Sequence, residues 1–114
     1  MNKINSAFSI DRLFKIIESR KNAEPTESYT AKLLAGGTKL ITKKVNEEAV
    51  ETVEAALKEG PIAVTRESAD LIYHLCVLWL DQGISPSDVL DELERREGTS
   101  GLVEKESRKK TTNK

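Results

Sequence analysis

The 114-residue chain reads as an all-α protein, a bundle of four to five helices. Three observations predict this class. Apolar residues recur at spacings of three and four, the period of a helix. No stretch alternates with period two over a useful length, which leaves no case for a sheet. Serine, proline and glycine stand where helices start and stop.

Ser9 can cap a first helix, with Asp11 in its opening turn and Ile10, Leu13, Phe14, Ile16 and Ile17 on the apolar face. Lys21 to Glu27 is polar, contains Pro25 and reads as a loop. Ser28 precedes a short helical segment, Tyr29 to Ala35, which Gly36-Gly37 interrupts. A longer pattern runs from Thr38 to about Leu57. There Val45, Ala49, Val50, Val53, Ala56 and Leu57 share one arc of the wheel, and Lys44, Glu47, Glu48 and Glu51 share another.

Glu59-Gly60-Pro61 ends that helix, and Thr65 is the expected cap of the next, which runs to Gln82 with Gly83 as its stop. This fourth helix is apolar around most of its circumference, through Leu71, Ile72, Leu75, Cys76, Leu78, Trp79 and Leu80. So much apolar surface on one helix of a small domain predicts a homodimer through that face. Glu67, Asp70, His74 and Asp81 form its polar stripe. Ser85-Pro86 then starts a last helix to about Arg96, with Val89, Leu90 and Leu93 inward. Residues 1–97 make the domain; residues 98–114 are polar, lack an apolar period and read as a flexible tail.

With 18 basic and 19 acidic side chains, the chain has no net field to attract nucleic acid. No stretch reaches the roughly 18 apolar residues that span a bilayer, and no secretory signal is visible, so a cytoplasmic location is expected. Cys76 is the only cysteine, which excludes an internal disulfide and a zinc cluster; its apolar setting suits an inert thiol.

The chemistry concentrates in two acidic clusters, Glu47-Glu48-x-x-Glu51 and Glu67-x-x-Asp70. Residues three apart share a helix face. The residues between Glu51 and Glu67 suit an antiparallel hairpin that would bring the two faces together. Carboxylates so close repel unless a hard cation sits among them, and an all-oxygen site suits Mg²⁺ or Mn²⁺. Such a metal points to phosphate chemistry. Lys44, one turn before the first cluster, suits a phosphate, and Gly36-Gly37-Thr38 followed by Lys39, Lys43 and Lys44 resembles a phosphate-cradling helix start close to the metal. His74 favours a structural hydrogen bond over a ligand role. Against catalysis stands a bland alternative, a helical interaction module with solvated acidic faces.

The run Ser28-Tyr29-Thr30-Ala31-Lys32-Leu33-Leu34, then Gly36 to Glu51, then Glu67 to Leu75, resembles the phosphoribosyl-ATP pyrophosphohydrolase family over about residues 9–97. The resemblance implies a dimeric, MazG-like all-α NTP pyrophosphohydrolase fold. It implies hydrolysis of phosphoribosyl-ATP to phosphoribosyl-AMP and pyrophosphate, the second step of histidine biosynthesis. The superfamily signature E-x-x-E, spacer, E-x-x-D is met by Glu48, Glu51, Glu67 and Asp70, the implied ligands of Mg²⁺ (or Mn²⁺), with Glu47 an additional acid able to orient water. Lys43, Lys44, Gly37, Thr38 and Tyr29 are the implied substrate-binding residues. Asn46 replaces a glycine common in relatives and touches no motif acid. The chain carries no cyclohydrolase region, so a stand-alone form is expected. A house-cleaning NTP pyrophosphatase of the same superfamily is the alternative activity.

Overall fold

The computed structural model describes residues 8–112. They form five helices: α1 Ile10–Ser19, α2 Tyr29–Lys58, α3 Pro61–Gln82, α4 Pro86–Arg95 and α5 Gly101–Thr112, with no strand among the described residues. The all-α reading holds, and three serine caps hold with it. Ser9 accepts from the Arg12 amide, Ser28 from the Ala31 amide, and Ser85 from the Asp88 amide, whose carboxylate answers at the Ser85 N–H.

Helix α2 is two limbs, 29–36 and 38–58, divided by Gly37 at φ 77° and ψ −178°. Three pairs fix their directions against α3. Tyr29 meets His74, Thr30 meets Tyr73, and Thr38 meets Asp81, so the first limb climbs α3 in parallel. On the second limb Glu48 lies by Asp70 and Glu51 by Glu67, so that limb descends antiparallel. The chain therefore reverses at a single residue. Gly37 supplies the left-handed φ, and a Cβ on Gly36 would stand 2.3 Å from the Leu40 side chain.

The core gathers where the first limb, α1 and α3 meet: Phe14, Ile17, Leu33, Ile41, Cys76 and Val77 are buried, with Leu34, Leu40, Val45, Tyr73, Leu78, Trp79 and Leu80 packed against them. The Cys76 thiol is sealed inside, and burial pushes its pKa up, as an inert structural thiol requires. No described helix is long and apolar enough to cross a membrane.

Three expectations need correction. Helix α3 starts at Pro61, not Thr65; Thr65 lies inside it and its hydroxyl donates back to the Pro61 carbonyl. Proline at the first helical position loses an amide that no helix bond needs. The acidic arc of α2 does turn toward α3, and Val50, Val53 and Leu57 of its apolar arc are exposed. Much of α3 is meanwhile covered within one chain, leaving only Ile72 of the expected dimer face among the exposed large apolar residues. On the short helices Ile16, Leu90 and Leu93 point outward rather than in.

The tail also differs from its reading as unstructured, for residues 101–112 form α5. Ser100 accepts from the Val103 amide at its start. Glu104 is 5% exposed and receives Arg95 at 2.7 Å, with Arg108 at 3.6 Å and Arg96 at 4.0 Å, which fastens α5 to the end of α4.

Candidate active site

The site is built on facing stretches of α2 and α3. A helix repeats every 3.6 residues, so Glu48 and Glu51, three apart, project together, as do Glu67 and Asp70. Packing the second limb antiparallel on α3 sets these two pairs against each other. Carboxylate oxygens of Glu48, Glu67 and Asp70 lie within 4.8 Å of one another. Glu51 stands beside the group, and its charge acts on both Glu48 and Glu67.

Lys44, the cation that acts on Glu48, is itself paired with Glu47. Burial, then the neighbouring Glu51, raises Glu48 above the ordinary carboxylate range; the nearby His74 works against that. Glu67 is raised by desolvation first and by Glu51 and Asp70 next. One oxygen of Glu67, Oε1, is cut off from solvent with no hydrogen-bond partner. An acceptor left so is costly, and carboxylates this close need a shared proton or a cation. Hard oxygen donors with one orphaned lone pair fit a divalent hard cation well. The four acids named from sequence as ligands are thus brought together.

Glu47 is beside this group but belongs to Lys44, whose ammonium donates to it at 3.3 Å and is itself raised mainly by that bond. Lys44 also acts on the Tyr29 hydroxyl, as do Glu48 and Glu47. Tyr29 therefore borders the acids. Lys43 is exposed. Gly37 and Thr38 lie elsewhere: Thr38 donates at 2.6 Å to Asp81, which is eleven residues beyond Asp70 (about 16 Å along α3). The glycine turn and the four acids are not neighbours in the fold, contrary to expectation, and Asp81 already takes the Thr38 hydroxyl.

His74 was weighed as structural, and its contacts are structural. Its Nδ1–H donates to the Asp70 carbonyl at 2.7 Å, which leaves Nε2 to accept from the Tyr29 hydroxyl at 2.9 Å. The imidazole is 6% exposed. Tyr73, a packing residue by its place in the sequence, stacks its ring on Tyr29 at 6.1 Å, meets Thr30 with its hydroxyl and packs against His74. The parallel limb makes this cluster, so its partners could be read only with knowledge of the Gly37 reversal.

The chain matches the family model of phosphoribosyl-ATP pyrophosphohydrolase over residues 10–97. It is 53% identical to the phosphoribosyl-ATP pyrophosphatase of Azospirillum brasilense over 91% of this chain and 94% of that one. The corresponding protein of Paramagnetospirillum magneticum is 54% identical over 89% of this chain and 93% of its own length. That of Rhodospirillum rubrum is 54% identical over 89% and 86%.

Proposed function

The chain belongs to the phosphoribosyl-ATP pyrophosphohydrolase family, and on that premise we propose that it hydrolyses phosphoribosyl-ATP to phosphoribosyl-AMP and pyrophosphate in histidine biosynthesis. The observation that carries the reading is the convergence of Glu48, Glu67 and Asp70, with Glu51 beside them and Glu67 Oε1 unpartnered. Glu48, Glu51, Glu67 and Asp70 would hold Mg²⁺, with Mn²⁺ able to replace it; when bound, the ion supplies charge neutralisation for the triphosphate and for the departing pyrophosphate.

The chain's own residues do the rest. Lys44, partly exposed and adjacent to the acids, leaves Glu47 for a phosphate oxygen when substrate arrives. Glu47, freed of its partner, holds the attacking water and takes its proton. The water oxygen then bonds to the α-phosphorus as the α–β anhydride bond breaks, and pyrophosphate carries away the electron pair. Gly37 and Thr38 lie toward the Asp81 end of α3 and would meet only a distal part of an extended substrate; Lys43, exposed one turn before Glu47, would meet a phosphate. A cytoplasmic setting fits a nucleoside triphosphate derivative as substrate.

A second copy completes the picture. The exposed stripe Val50, Val53 and Leu57 on α2, with Ile62 at the start of α3, is the face we assign to a homodimer. Its spacing of three and four is that of a helix seam. Val53→Glu should turn a dimer into a monomer by sedimentation equilibrium; a wild-type monomer at low micromolar concentration would refute the assignment.

Pyrophosphate release from phosphoribosyl-ATP, measured beside ATP and a damaged NTP in Mg²⁺, tests the activity itself. Preference for phosphoribosyl-ATP is expected. Equal or faster turnover of ATP or of a damaged NTP would transfer the chain to a house-cleaning role.

A further inference from the structure

The ring of Tyr29 is unusual for its place. It stands at the start of α2, stacks on Tyr73 with planes 21° apart, and still keeps 48% of its surface in solvent. An exposed tyrosine on a helix end is ordinarily free to rotate. This one is held at its hydroxyl by the buried Nε2 of His74, whose other nitrogen is held by the backbone carbonyl of Asp70. The edge of the imidazole also packs against both tyrosine rings, at 5.7 and 5.2 Å. Three aromatic side chains and two hydrogen bonds therefore fix one open aromatic face, tied through His74 to the backbone carbonyl of Asp70.

Its hydroxyl edge borders mixed charge, Lys44 acting on it first and Glu48 and Glu47 after. The ring face itself, rigid and open to solvent, is a receptor for a flat cation. Phosphoribosyl-ATP differs from ATP by a ribosyl group on N1 of the adenine. That substitution consumes the lone pair of N1 and leaves the amidine of the ring protonated near neutral pH. Its purine is then a planar cation, whereas the purine of ATP is neutral.

We propose that the open face of Tyr29 receives the cationic purine of phosphoribosyl-ATP by a cation–π contact and thereby distinguishes this substrate from ATP, with His74 and Tyr73 as positioning residues. The inference rests on the activity proposed above. The triphosphate would then run from Tyr29 toward Lys44 and the acids, with the purine at the tyrosine end.

The test replaces Tyr29 with phenylalanine, then with mono-, di- and trifluorophenylalanine, and measures KM and kcat for phosphoribosyl-ATP and the inhibition constant of ATP. Fluorination drains the ring face of negative potential while scarcely altering its size. KM for phosphoribosyl-ATP should climb stepwise with fluorination, by about tenfold across the series. kcat and the ATP constant should each stay within about twofold over the same series, because neither depends on the ring's charge distribution. His74→Leu should raise KM as well, and His74→Gln, whose carboxamide can accept from the Tyr29 hydroxyl, should restore most of it. A flat KM across the fluorinated series, or equal loss for ATP, would overturn the proposal while leaving the activity intact. Absence of pyrophosphate release by the parent enzyme would instead overturn the activity.

Discussion

The molecule carries two acidic clusters, and they are opposites. At the end of α4, Glu92 takes Arg95 at 2.7 Å and Arg96 at 3.0 Å, and these pull its carboxyl down to about 2. Glu104, the most buried acid of that group, lies among Arg95, Arg96 and Arg108. Between α2 and α3, Glu48 and Glu67 sit among other carboxyls, and both are raised. The signs of their pH dependence follow. A depressed carboxyl adds stability above the ordinary Glu range and loses it as pH falls toward 2. A raised carboxyl binds its proton better in the folded state, so metal-free stability falls as pH climbs out of the ordinary range. Acids that the fold itself satisfies hold it together; acids that it leaves unsatisfied are waiting for a ligand.

Breaking the unsatisfied cluster should have the larger effect. Glu67→Gln is expected to lower turnover on the order of 10³-fold, since it removes a ligand oxygen worth several kcal/mol in the transition state. The same variant should melt at or above the parent temperature without metal, because a repelling charge has gone. The parent should gain about 10 °C when Mn²⁺ is added at a hundred times its Kd, and the variant much less. Differential scanning calorimetry beside a turnover assay checks both. Parental turnover in Glu67→Gln would end the metal reading, and Glu54→Gln, on an exposed position, is the silent control.

Breaking the satisfied cluster should be milder and of the opposite kind. Glu104→Gln leaves Arg95 and Arg108 without their shared acid, so α5 should detach locally while turnover stays within about twofold. Hydrogen exchange of the amides in 101–112 should quicken about tenfold, with α3 unchanged. Lost activity in that variant would mean that α5 reaches the substrate site and that the two clusters are not independent.

Helix boundaries set by short-range chemistry were legible in the sequence. Ser9, Ser28 and Ser85 each lie before an apolar period and need only the amide three residues on. Thr65 misled because a threonine hydroxyl can cap a helix or bond the carbonyl four residues back, and only the second occurs here. The grouping of Glu48 with Glu51 and of Glu67 with Asp70 was legible because carboxyls three apart must share a face whatever else the chain does. What lay hidden depended on partners distant in sequence. Helix α5 has no apolar period; its signal was Ser100 with Glu104 and Arg108 four apart, and its anchor is on another helix.

The reversal at Gly37 makes α3 a ruler that is read twice. Tyr29 is measured upward along it and Glu48 downward, so the distance between purine face and metal ligands is set by the count of residues on either side of one glycine. Each residue added or lost between Gly37 and Glu48 would swing the carboxylates by about 100° around the limb, away from Glu67 and Asp70. The loop from Lys21 to Glu27 feels no such constraint, being exposed throughout. Length variation among relatives should therefore collect before Ser28 and avoid the interval from Gly37 to Glu51, where a single inserted codon would do more harm than most substitutions.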